Sequence, residues 1–308
     1  MSTSLIPPAQ WAQNEFGFAQ LGDQRRNKRL VNIAEHLAAR PGGTLPQAFG
    51  DWAELKAAYR FFGQRGVSFE RVMAPHVERT RQACGQAGEY LLIEDTTLLD
   101  YSRQPARLAV VEVRSVRVDL DGPWRPGGWQ EPLRDVGVIE VREVSVPEGV
   151  REPLHWLLLT SLPCATWAQV QRVVGYYTAR WWIEEYPKAL KSGTSVEQSQ
   201  LERADRLEPW IGILAVVAVR LLNAKMLARR RPESCEAAAS FGSSLLALLE
   251  KKLGQPKDGW TNRNLIRAVA RVGGFIGRKS DGEPGWQTIW RGWQRLMWMC
   301  EGANLIES

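Results

Sequence analysis

The stretch Tyr177-Thr178-Ala179-Arg180-Trp181-Trp182-Ile183-Glu184-Glu185-Tyr186-Pro187-Lys188-Ala189-Leu190-Lys191 decides how the rest of the chain is read. It sets a phenol, a guanidinium, a carboxylate and an ammonium (Tyr177, Arg180, Glu184, Lys191) at i, i+3, i+7 and i+14. At about 3.6 residues per turn, these fall in a narrow sector of one helix face. One acid between cations suits phosphate chemistry: the carboxylate can hold a divalent ion while the cations steady phosphates beside it. Pro187 opposes a straight helix. An interior proline removes a backbone hydrogen bond, costs about 3 kcal/mol, and is expected to kink the chain between Glu184 and Lys191.

Composition sets the frame around this segment. The 308 residues are 44% apolar and 24% charged, ordinary values for a folded protein with room for two or three domains. The net charge of +6 leans toward a polyanionic partner without proving one. Four scattered cysteines and three histidines offer neither a zinc pattern nor a disulfide framework. The start, Met1 to Pro8, lacks the features of a signal peptide. The apolar run Trp210 to Val219 is about half a membrane span and reads as a core helix. A cytoplasmic protein with no membrane partner is the expectation.

Residues 9–84 read as helical. Asp23 caps a helix whose stripe is Leu30, Ile33, Ala34 and Leu37. Arg25, Arg26, Lys28 and Arg29 crowd its first turn, where cations oppose the helix dipole. That points either to an external anion or to a solvated basic face. Further helices are expected over 52–62 and 68–82, then a buried strand over Tyr90 to Ile93. Val-rich segments from Leu108 and from Val136 read as half-exposed strands, separated by a loop at Gly122 to Gly128. Another strand is expected at Trp156 to Leu159. Helices follow over 166–192, 205–231, 240–253, 261–272 and 286–299. Trp286, Trp290, Trp293 and Met297 share one face, as either core or subunit contact. Trp181 and Trp182 read as packing.

The Tyr-Arg-Glu-Lys spacing, with Leu91-Leu92-Ile93-Glu94-Asp95-Thr96-Thr97 upstream, resembles the signature of bacterial DDE transposases of the insertion-sequence-four family, which includes the transposon-five transposase. Two further stretches strengthen the resemblance: the Leu-Gly-Asp-x-Arg-Arg run around Asp23, and the Val-Gly-Gly-Phe and spaced-tryptophan pattern after Val272. The fold it implies is α/β: a truncated ribonuclease-H-like (integrase-like) core with a β-rich insert, between two helical domains. The expected bounds are 1–78 for DNA-end binding, 79–232 for the incomplete catalytic domain with its insert at about 103–155, and 233–308 for dimerisation.

By this resemblance Asp95 and Glu184 are the first and third catalytic, metal-binding acids. Tyr177, Arg180, Lys188, Lys191, Trp156, Arg25, Arg26, Arg29, Tyr59 and Arg60 contact DNA. Trp156 is the platform on which a flipped base stacks, although by its own position it reads as core beside a strand. Between Ser102 and Arg103 a block containing the second aspartate is missing. Asp119, Asp121 and Asp135 lie in the insert, and Glu94 and Glu185 point away from their neighbours. The implied cofactor is Mg²⁺ (or Mn²⁺), weakly bound without the second aspartate. The implied partners are double-stranded transposon terminal repeats and a second copy on the DNA, near the bacterial nucleoid. The expectation is therefore end binding with defective catalysis. The alternatives are an inhibitor forming mixed dimers with an intact transposase, or a non-functional remnant.

Overall fold

The computed structural model describes residues 6–93, 109–150, 153–241, 243–257, 259–278 and 281–307. Asp95 and the junction near Ser102–Arg103 lie outside them. The chain divides into two compact units, one of residues 1–89 with 185–308, the other of residues 90–184.

In the first unit, helices α1 (Pro8–Phe16), α2 (Gln24–Ala39), α3 (Leu45–Ala48), α4 (Trp52–Phe62) and α5 (Phe69–Cys84) come first in the chain. Asp23 caps α2 as expected, its carboxylate accepting from the Arg25 amide at 2.8 Å. Leu30, Ile33, Ala34 and Leu37 are fully buried. Burying each of the larger ones stabilises the fold by roughly 1.5–3 kcal/mol. Asp51 and Ser68 cap α4 and α5 in the same way. These helices gather on the first half of a long helix, α8 (Ala204–Arg230), through Trp210, Ile213, Leu214, Val216 and Val217. By length and apolarity α8 could cross a membrane, but half of its most apolar window is buried inside the protein, where it serves as the central helix.

The second half of α8 meets α9 (Glu236–Phe241), α10 (Ser243–Leu253), α11 (Asn262–Val272) and α12 (Trp286–Glu307). Trp293 and Met297 join Phe241, Leu249, Leu265 and Val269 in one core, and Trp290 is buried as well. The tryptophan face of α12 is therefore intramolecular. Helices α11 and α12 cross at glycines: a Cβ on Gly292 would lie 1.8 Å from the Val269 carbonyl oxygen, and one on Gly273 would lie 1.9 Å from that of Thr288.

The second unit holds an antiparallel sheet, β1 (Val111–Leu120), β4 (Leu133–Glu143) and β5 (His155–Thr160), in the order β1-β4-β5. Between β1 and β4 a small ribbon, β2 (Trp124–Arg125) with β3 (Gly128–Trp129), occupies the expected loop. The period-2 pattern of β4 buries Ile139 and Val141 with Leu158 of β5 against Val170 and Val173 of α6 (Trp167–Ala179). The other face is solvated and ion-paired. Glu112 bonds Arg114 at 3.0 Å and Arg142 at 3.2 Å, and Glu140 meets His155 at 2.9 Å.

Two expectations need correction. Residues 90–93 are not a buried strand: they have no regular structure, and Leu92 is 97% exposed. Four apolar residues are too short a signal when no described strand pairs with them. The helix expected over 166–192 is interrupted. It stops at Ala179, passes through tightened i→i−3 turns (Arg180 to Tyr177 at 3.0 Å, Glu184 to Trp181 at 3.1 Å), and resumes as α7 (Trp182–Lys188). Pro187 lies inside α7, and a π-turn follows at Ala189–Gly193. The break thus precedes Glu184 as well as following it. Pro187 has no N–H to offer the Ile183 carbonyl, and its ring crowds that oxygen, so an α-helical ladder cannot run through both.

Candidate nucleic-acid interface

With the helix interrupted, the four signature residues no longer form one continuous stripe. In the second unit Arg180 lies 3.7 Å from Glu184 and 5.7 Å from the centre of the Tyr177 ring. Tyr177 in turn packs edge-on against Trp156, with ring centres 4.8 Å apart. Trp156 is half-buried, its body in the sheet–helix core, consistent with the packing reading of its position. Lys188 and Lys191 belong to the first unit, where Lys188 faces Glu185 at 3.8 Å and Lys191 faces Glu197 at 3.6 Å.

Glu185 is tied into the fold. It is buried, accepts from Lys225 and from the Trp286 indole N–H at 2.7 Å, and feels the Lys188 charge at 3.8 Å. Burial alone would push its carboxyl up, but the Lys225 hydrogen bond and charge outweigh that and hold it below the usual range. Burial pulls Lys225 down to about 8 even though Glu185 opposes the shift. Both are ionised at neutral pH, and Lys225 also sits 4.2 Å from the centre of the Trp286 ring.

Among the described residues, no three of His, Cys, Asp and Glu come together in a way that could hold a metal ion. Glu184 faces a guanidinium and Glu185 an ammonium. Among the described residues, then, the donors present do not make up a two-metal centre.

The N-terminal cations divide by their partners. Arg26 donates to the Leu21 carbonyl at 3.1 Å, and Arg29 is bonded to Glu54 and, at 3.3 Å, to Asn32. These two have structural work, whereas Arg25 and Lys28 are exposed. Tyr59 and Arg60 line a groove of about 440 Å³ with Trp52, Lys56, Gly63, Gln64 and Arg206. Trp52, Lys56, Tyr59, Arg60 and Gly63 follow one another at helical spacing along α4. Arg206, near the start of α8, reaches the Gly63 end of α4, 3.5 Å from where a Cβ would stand. No acid lines the groove; Lys56 and Arg60 form no salt bridge among the described residues, while Arg206 lies close enough to the neighbouring Asp205 carboxylate to help lower its pKa. Trp52 is 72% exposed at its mouth. Three cations beside an exposed indole and a phenol form a surface suited to a nucleic-acid backbone. A larger cavity of about 860 Å³ lies along α5, but it includes Glu78, and its Arg79 is already bonded to buried Glu15.

The groove's cations and rings are those a nucleic-acid backbone could use. Comparison with known families narrows that use. Residues 8–67 match the family described as transposase DNA-binding, and residues 216–308 match that described as transposase Tn5 dimerisation domain. The groove's α4 residues through Gly63 fall within the first match, and the α11–α12 crossing falls within the second. Together the matches support a Tn5-like transposase-family protein that binds DNA and forms dimers.

The groove brings Tyr59 and Arg60, which the sequence singled out, together with Trp52, Lys56 and Arg206, which it did not. The signal for Trp52 and Lys56 was available in their i−7 and i−3 spacing from Tyr59. Arg206 is far away in sequence, and only the packing of α8 brings it in. Trp181, read as packing, is 53% exposed.

Proposed function

We propose that this chain is a DDE transposase derivative of the insertion-sequence-four family. In this reading it carries a large internal deletion after about Ser102, binds double-stranded terminal repeats as a dimer, and does not cut them. The acid-free cationic groove on α4, inside the segment matched to a transposase DNA-binding family, carries the reading. Lys56, Arg60 and Arg206 neutralise successive phosphates, while Trp52 and Tyr59 pack along the sugar–phosphate edge. The residues 79–232 are the remainder of a ribonuclease-H-like domain, in which Arg180, Lys188 and Lys191 keep their phosphate-steadying character.

The catalytic defect rests on sequence: no aspartate stands where the second acid of the family belongs. Mg²⁺ or Mn²⁺, which would supply Lewis-acid activation of the attacking oxygen, is left with Asp95 and Glu184 as its expected ligands. A second reading is favoured by the dimerisation match: the chain could pair with an intact transposase and hold it inactive. A cytoplasmic, nucleoid-associated location suits both.

The test is a mobility-shift and nicking assay on the terminal repeats flanking the gene, with Mg²⁺ or Mn²⁺. The expected result is binding without cleavage. Cleavage that is lost in both Asp95→Ala and Glu184→Ala would show that another carboxylate completes the centre, and the proposed defect would be wrong. Added to an intact relative, the chain should lower its cleavage; an unchanged rate removes the mixed-dimer reading.

A further inference from the structure

The ribbon β2–β3 has no role in the reading above, yet its sequence builds it with care. In Gly122-Pro123-Trp124-Arg125-Pro126-Gly127-Gly128-Trp129, Trp124 pairs with Trp129 and Arg125 with Gly128, leaving Pro126-Gly127 as the turn. Proline fixes φ at the first turn position, and Gly127 and Gly128 take φ of 114° and 118°, which side-chain-bearing residues rarely adopt. At the base, a Cβ on Gly122 would stand 2.1 Å from the Gln130 carbonyl oxygen, so the two arms close only over glycine. The Gln130 amide donates to the Pro123 carbonyl at 3.2 Å.

This frame holds two indoles in water. Trp124 is 61% and Trp129 75% exposed, and as cross-strand partners they project from the same face. Neither stacks on another ring or cation among the described residues. Exposing two indoles on a turn stiffened by proline forgoes the stabilisation of burying them, so a partner elsewhere should use them. Surface size selects that partner. Around the indoles the ribbon carries proline, glycine, Arg125, Gln130 and Glu131 and no further large apolar residue, so it offers two ring faces rather than a broad apolar interface. A nucleobase needs only one ring face.

Charge decides how the ligand is held. Asp119 is bonded to Arg134 at 3.2 Å and Asp135 to Arg117, so these acids are neutralised. Arg125 lies on the ribbon's other face without an acidic partner among the described residues, while Asp121 and Glu131 lie exposed at the base. One cation against two exposed acids leaves the ribbon slightly acidic, so phosphates gain nothing here and a ligand would be held through its rings.

We propose that the β2–β3 ribbon is a stacking site for unpaired nucleobases, with single-stranded DNA as its ligand and Trp124 and Trp129 as the stacking faces. The proposal rests on the reading of the chain as DNA-binding, and its test separates the two. Full-length protein is titrated into dye-labelled oligothymidylate and, separately, into the duplex terminal repeat, with polarisation as readout. Trp124→Ala/Trp129→Ala should weaken oligothymidylate binding about ten-fold or more and leave duplex binding within about two-fold; Trp124→Phe/Trp129→Phe should restore most of the loss. Oligothymidylate affinity should also fall less steeply with salt than duplex affinity. Equal oligothymidylate binding by wild type and the alanine variant, with circular dichroism showing both folded, would overturn the proposal. Loss of self-association in the alanine variant would overturn it too, since the indoles would then be a protein contact. Failure of wild type on the duplex alone would sink the end-binding reading and leave the ribbon's role standing.

Discussion

Lys225 and Trp286 donate to the same oxygen, Oε2, of the buried carboxylate of Glu185. The ammonium comes from the central helix, the indole from the start of α12, and the acid directly follows Glu184 in sequence. Removing one member should cost more than removing the charge pair together. Lys225→Met leaves a buried carboxylate with only Trp286 and a distant Lys188, and should cost roughly 3–5 kcal/mol in urea unfolding. Glu185→Leu/Lys225→Met should recover most of that loss. A double variant as unstable as Lys225→Met would mean that the charges contribute little to one another.

The same carboxylate makes stability depend on pH. Its folded-state pKa is held below the ordinary 4.5, so the unfolded chain binds the proton more readily. Its contribution is complete above about pH 4.5 and is lost as the pH falls through the folded value. Unfolding free energy in urea should therefore decline below that point. Glu185→Gln, which keeps an acceptor for Trp286 but cannot titrate, should show a shallower decline. Parallel curves for the two proteins would place the acid sensitivity elsewhere.

At the α11–α12 crossing, two glycines let the backbones touch. Gly292→Ala would drive a methyl into the Val269 carbonyl at 1.8 Å, with backbone on the receiving side and no side chain able to yield. Overpacking of this kind should cost about 1–3 kcal/mol. Gly302→Ala, further along the same helix with nothing within 4 Å of its Cβ, serves as the control. It should leave stability unchanged or raise it by up to about 1 kcal/mol. Thermal unfolding of the two variants checks the pair, and similar melting temperatures would contradict the crossing.

What was legible in the sequence follows physical range. Asp23 and the stripe from Leu30 to Leu37 define α2 locally, because a cap and an apolar period need only neighbours within one helix. The same holds for α8 and α11. Tyr90 to Ile93 misled, because an apolar run becomes a strand only when a partner strand accepts it. The Tyr-Arg-Glu-Lys spacing assumed one continuous helix face, which Pro187 and the tightened turn at Arg180 break. The Trp124–Trp129 ribbon escaped because two-residue strands rich in proline and glycine read as loop. Arg206 could not be found at all, since about 150 residues separate it from the groove it completes.

That groove gives the sharpest test of the interface. Lys56→Ala and Arg60→Ala each remove an exposed cation with no salt bridge among the described residues, so neither should disturb the fold by more than about 0.5 kcal/mol, whereas Arg206→Ala also removes a half-buried side chain beside Asp205 and its stability is measured alongside. Each should weaken duplex binding and lower the slope of log affinity against log salt by about one, because one fewer counterion is displaced from the DNA. Arg29→Ala is the contrast: its guanidinium is already committed to Glu54 and Asn32, so the loss should appear mainly as stability. Trp52→Ala should weaken binding while leaving the salt slope unchanged, since an indole releases no ions. Affinity measured by polarisation at four or five salt concentrations separates these behaviours. If the three cation variants keep the wild-type slope while Arg29→Ala lowers it, the DNA tracks the first turn of α2 and the groove on α4 is not its path.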